Sequence, residues 1–198
     1  MKKPLRYAAF LLLAAAAAAL FFGCGKESGS YLKIDDEEAD DAVYIYYLKS
    51  SMYRVMAMYG AESSTEAFWT AELLDGETPF ETALSMASEK TTEEYIIGRL
   101  FDESPLSWDD EKQAKFEERY DAVSVGGRSY KRFLSASGLT DEAWRFITKN
   151  AVKRAALNEY YKDRGKSLED EISRLVNEAD VKTDRERISA LVPTKIIP

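Results

Sequence analysis

The chain has 198 residues, 45% of them hydrophobic, with three Trp, twelve Tyr and nine Phe, so it holds enough apolar matter for a real core and is not a disordered stalk. Its net charge is −8, with 27 basic and 35 acidic residues and no histidine. An acidic balance leaves no electrostatic footprint for nucleic acid, and one cysteine excludes an internal disulfide.

The first 23 residues have the layout of a secretory leader. Lys2, Lys3 and Arg6 form a basic start, and Tyr7 to Phe22 is free of charge. The run of roughly fifteen apolar residues is shorter than the ~20 a spanning helix needs. It ends in Leu20-Phe21-Phe22-Gly23-Cys24, which resembles the lipobox of bacterial lipoproteins, although Phe21 stands where leucine is usual. The resemblance implies cleavage before Cys24 and acylation of its thiol, placing the mature domain on the extracytoplasmic face of a cell membrane. Acyl chains contribute about 0.8 kcal/mol per buried CH₂, and two or more give stable anchoring. Loss of the leader takes the basic count from 27 to 24 against 35 acids, so the mature charge is −11 and anionic lipid should repel the domain. Membrane contact is therefore expected through Cys24 alone. Residues 24–30, with Gly25-Lys26-Glu27-Ser28-Gly29-Ser30, read as a flexible tether spanning on the order of 13 Å.

From residue 31 to 198 the signals predict an all-α domain of about six helices, with one short two-stranded pairing near the termini. Tyr31-Leu32-Lys33-Ile34 is the candidate first strand, and Val181 its candidate partner. Asp36 to Asp41 should open the first helix, whose apolar positions Tyr44, Leu48, Met52, Val55 and Tyr59 recur at spacings of three and four up to Gly60. Ser63 to Thr65 cap a short second helix carrying Phe68, Trp69 and Leu73, closed by Gly76. Thr78-Pro79-Phe80-Glu81 is a capping box with proline at the first helical position. The third helix should run to Ser104, before Pro105, with a kink at Thr91-Thr92 or Gly98.

Ser107 is the expected N-cap of a fourth helix bearing Phe116, Tyr120 and Val123, ended by Gly126-Gly127. A short helix with Tyr130, Phe133 and Leu134 follows. Gly138 then closes it and Thr140 caps the next, which runs to about Arg164 with Trp144, Ile147, Ala151 and Leu157 inward. Ser167 opens a further helix, and Thr183 to Glu186 cap a last turn.

The stretch Tyr130-x-x-Phe133-Leu134-x-x-x-Gly138-Leu139-Thr140-x-Glu142-x-Trp144-Arg145, the helix order before it and the ending "LEDEISRLVNEADVKTD" resemble the helical chaperone domain of SurA- and PrsA-type foldases, related to the C-terminal domain of trigger factor. The likeness covers about residues 31 to 185. It implies a surface that binds unfolded exported polypeptides. That family often carries a parvulin prolyl isomerase module, for which this chain has no room and no histidines, so isomerase activity is not carried over.

No catalytic chemistry is expected. The lack of histidine excludes the usual triads, dyads and histidine metal sites, and acidic runs such as Asp35-Asp36-Glu37-Glu38 lack a calcium-loop pattern. No cofactor is expected either. What stands out is "VYIYYLKSSMYRVMAMY", whose tyrosines and methionines cover more than one helix face. Such side chains suit promiscuous apolar recognition; they also suit a helix with neighbours on several sides. Tyr44, Tyr47, Met52, Met56, Tyr59 and Trp69 are the candidate client-binding residues. Two functions follow: a holdase-like lipoprotein, or a scaffold lipoprotein docking one envelope partner.

Overall fold

A computed structural model describes residues 29–73 and 76–197; the leader, Cys24 and most of the tether lie outside these. The described chain opens with a hairpin. Strands β1 (Leu32–Ile34) and β2 (Glu37–Glu38) pair antiparallel, with Ile34 opposite Glu37. Asp35 and Asp36 between them have φ of +48° and +71°, the left-handed pair of a type I′ hairpin turn, which Asp tolerates. The acidic stretch from Asp36 is thus a turn and a strand rather than a helix start. Only Asp40 and Asp41 serve α1 (Asp41–Met58), Asp40 accepting the amide of Ala42.

Helix α2 (Glu66–Trp69) is capped by Thr65 and α3 (Pro79–Glu103) by the reciprocal Thr78/Glu81 box. Helix α3 runs unbroken through Thr91, Thr92 and Gly98. The hydroxyls of Thr91 and Thr92 donate to the carbonyls of Ala87 and Ser88 at 2.8 Å, so both β-branched residues are satisfied inside the helix. Helix α4 (Asp110–Ser124) starts later than predicted, because Asp109 rather than Ser107 accepts the Lys112 amide. Trp108 meanwhile folds back onto Phe101 and donates its Nε1–H to Gln113. Then come α5 (Arg128–Ser137), α6 (Asp141–Lys162) and α7 (Leu168–Glu178), capped by Thr140 and Ser167 as expected in the last two cases. Strand β3 (Val181–Thr183) and the short helices α8 (Arg185–Ser189) and α9 (Pro193–Ile196) complete the described chain.

The fold is mostly helical, and its small sheet has three strands in the order β2-β1-β3, one more than predicted. Ile34 lies opposite Val181 in the antiparallel β1–β3 pair. One core unites β1, α1, α2 and α3 through Leu32, Tyr44, Leu48, Met52, Trp69, Ala83 and Ala87. The small side chains Ala83, Ala87 and Thr91, four apart, let α1 and α3 approach closely. A second core joins the far half of α3 to α6 and α7 through Ile97, Phe101, Leu157 and Ile172. On α6 the inward positions include Asn150, Val152 and Lys153, whereas Ala151 is exposed, contrary to its predicted place; Trp144 and Ile147 are half-buried.

Candidate functional site

Helix α1 has neighbours on three sides: β1, α3, and the α5–α6 pair. That decides the fate of its candidate residues. Tyr44, Met52 and, on α2, Trp69 are no more than 1% exposed. The Tyr44 ring stacks on Tyr31 at 5.4 Å, and Trp69 packs edge-on against Phe68 and Phe80 with its indole N–H on Ser64. These three are core residues, not a surface. Burial beside Ser88, without a well-formed hydrogen bond, pushes the Tyr44 phenol up to about 12. Met56 is half-buried against the same core.

The remaining end of α1 is open. Tyr53 and Met58 are each 60% exposed and Tyr59 47%. With half-buried Met56 they are the less covered Tyr and Met side chains at the C-terminal end of the helix, set on different sides of it, and Tyr59 is its C-cap. Tyr53 and Met58 belong to the same aromatic and methionine run, but periodicity alone does not separate them from the buried members.

Tyr47 has a structural task. Its hydroxyl donates to Glu94 Oε1 at 2.6 Å, where α1, α3 and α6 meet; Asn150 Nδ2 donates to the Glu94 backbone carbonyl at 2.8 Å. Glu94 Oε2 is buried without a partner. Desolvation pushes the Glu94 carboxyl above its usual range, and desolvation together with the Glu94 charge pushes the Tyr47 phenol upward as well.

A second polar group ties α4, α5 and α6 together. Asp141 Oδ1 accepts the hydroxyls of Tyr120 at 2.5 Å and Tyr130 at 2.7 Å, while Arg145 Nε donates to Oδ2 at 2.7 Å. These donors hold the Asp141 carboxyl at about 2. Arg145 also lies 4.1 Å over the Tyr120 ring. Around them runs an unbroken ring series, Phe101, Trp108, Phe116, Tyr120, Tyr130, Phe133 and Trp144, with neighbouring centroids 5.0–6.4 Å apart.

The α4–α6 cleft, a cavity of about 250 Å³, is lined by Glu111, Lys112, Lys115, Val152 and Tyr160 among others. Lys112 and Lys115 are already paired with Asp109 and Glu111. Among the described residues no cluster of three or more His, Cys, Asp or Glu is placed to hold a metal, and no helix is long and apolar enough to cross a membrane.

No family model, curated protein or solved structure matches this chain.

Proposed function

We propose that the chain is a membrane-anchored extracytoplasmic chaperone of the holdase type, which binds unfolded exported polypeptides without catalysis. The observation that carries this reading is the exposure of Tyr53, Met58 and Tyr59, beside half-buried Met56, at the end of α1. The lipobox-like leader and the Gly/Ser tether support the anchored placement. The order of a long, a short and a long helix, with the first strand paired to the last, accords with a SurA/PrsA-like domain.

The test is light scattering of unrelated unfolded proteins diluted with and without the mature chain. Suppression at near-stoichiometric ratios, lost in Tyr53→Ser/Met58→Ser/Tyr59→Ser, supports the reading; no suppression rejects it. Membrane retention is checked separately. Cys24→Ser should release the protein from membranes, and unchanged retention would reject the lipid anchor.

A scaffold lipoprotein docking one specific envelope partner is the second reading. It is favoured by the exposed charged residues Arg54, Glu62 and Glu66 that neighbour these side chains in sequence, as a polar rim would. Capture of one partner in place of broad suppression would select it.

A further inference from the structure

From Ala122 to Leu139 the chain carries three basic residues, Arg128, Lys131 and Arg132, and none of its 35 acidic ones. The structure gathers this local excess onto one face. At 100° per residue, Arg128, Lys131, Arg132 and Ser135 fall within one side of α5, and all four are exposed. The opposite side carries Tyr130, Phe133 and Leu134. Phe133 and Leu134 pack toward Val43 and Ala143, and Tyr130 reaches Asp141.

None of the three cations has an ion pair among the described residues. Several surface cations on other helices are matched, Lys90 with Glu93, Lys115 with Glu111, Arg154 with Glu169, Arg174 with Glu171 and Glu178, although Arg54, Arg119 and Lys162 also stand without an ion pair among the described residues. Just ahead of α5, at the α4–α5 turn, Val125 is 77% exposed, more than any other large apolar side chain described.

This face is held in a fixed orientation. Gly138 ends α5 with φ +80°, so close to α1 that a Cβ there would meet Ile45 Cγ2 at 3.0 Å, and Lys49 Nζ donates to the Ala136 carbonyl at 2.8 Å. The tether leaves from the same half of α1. Arg187 donates to the Gly29 carbonyl and pairs with Asp41, the first residue of the helix. Ile45 and Lys49 lie about 6 and 12 Å further along. Cys24 is five residues ahead of Gly29, at most about 18 Å when extended.

We propose that the basic face of α5, with Val125 at its leading edge, docks on the anionic headgroups of the membrane that carries the anchor, and so orients the domain. The occupant is a lipid surface rather than a soluble partner. Anchoring keeps the domain within a short tether of headgroups, and an exposed apolar residue beside unpaired cations suits an interface with an apolar layer beneath an anionic one. The domain's overall charge of −11 still repels it from lipid, so contact is confined to a face that, like this one, carries cations and no acid of its own. The expectation of contact through Cys24 alone is thereby revised. The inference rests on the anchored placement proposed above and not on client binding.

Each basic residue near an anionic surface contributes about fivefold, so the three together contribute on the order of 100-fold, and salt weakens the effect. The test couples the mature chain, through its sole thiol, to a maleimide lipid in phosphatidylcholine vesicles with or without phosphatidylglycerol. Attachment then does not depend on cellular acylation, so failure of the anchor reading and failure of the docking surface are told apart.

Amide hydrogen exchange across residues 122–139 should slow in the anionic vesicles and not in the neutral ones. The slowing should vanish at high salt and in Arg128→Gln/Lys131→Gln/Arg132→Gln, while α3 exchanges alike in all samples. Equal exchange in both vesicle types overturns the proposal. So does protection by soluble polyglutamate without protection by vesicles, which would point to an acidic polypeptide instead.

Discussion

Replacing Tyr47 by Phe removes one hydroxyl and leaves the ring in place. The loss falls on Glu94, whose Oε1 accepts that hydroxyl at 2.6 Å and whose Oε2 is buried without a partner. Asn150, which also donates to the Glu94 backbone carbonyl, and the Arg154 charge favour the carboxylate too, but with Tyr47 in place they do not outweigh its burial. A hydrogen bond to a buried charge is worth about 2 kcal/mol, and one to a neutral acid about 1 kcal/mol. Burial raises the Glu94 carboxyl above its ordinary 4.5. The folded state therefore holds this proton more tightly than the unfolded chain, so the associated stability is full below 4.5 and is lost as pH climbs through the raised value. The tyrosine donor opposes that rise, and its removal deepens the loss at high pH. Urea unfolding followed by circular dichroism, with a slope of about 2 kcal/mol/M, should show the midpoint of Tyr47→Phe falling by about 1 M at pH 8 and about 0.5 M at pH 4. Equal losses at both pH values, or no loss, would refute a buried ionisable Glu94 held by Tyr47.

Trp69→Ala empties a site 1% exposed and should cost about 4 kcal/mol, read as a thermal midpoint lowered by roughly 10 °C or more; a shift of a degree or two would put Trp69 outside the core. Gly138→Ala should cost about 2 kcal/mol, against about 1 for Gly60→Ala, because both have positive φ but only Gly138 would press a methyl onto Ile45. Equal costs in chemical denaturation would remove the close α5–α1 approach. For Asp141→Asn the sign is that of a depressed acid: the stabilisation is present above its ordinary 3.8 and lost as pH falls through about 2. Its side chain is 38% exposed, so after allowance for solvent screening the deficit at pH 6 is about 1 kcal/mol, closing near pH 2. A deficit independent of pH would mean that Tyr120, Tyr130 and Arg145 do not hold an ionised carboxylate.

Boundaries set by chemistry within one turn were legible in the sequence: the Thr78/Glu81 box, Gly138 followed by Thr140, Ser167, and the stop before Pro105. Where two local structures want the same residues, distant contacts decided. Asp35 and Asp36 suit a helix start as well as a hairpin turn; the hairpin wins because β1 pairs with β3 and the Asp180 amide donates to Asp35 Oδ1. The candidate residues were legible as a run and not as a face. Tyr and Met surround α1, and only the positions of β1, α3 and α5 separate buried Tyr44 and Met52 from open Tyr53 and Met58. The acid-free stretch at α5 was readable by composition, as were those of residues 42–61 and 143–158, but its significance depended on finding the three cations on one side and unpaired.

The pairing of β1 with β3 imposes an order of events on folding. A chain made from its N-terminus offers Leu32 and Ile34 about 150 residues before Val181 and Thr183 exist to pair with them. At about 5–20 residues per second that is a wait of about 7–30 s. During it β1 has only the two-residue strand β2 on one side and a bare edge on the other, the kind of edge that recruits foreign strands. The segment next to the tether is thus first to emerge and last to be closed, and Arg187, binding both the Gly29 carbonyl and Asp41, is the latch that completes it.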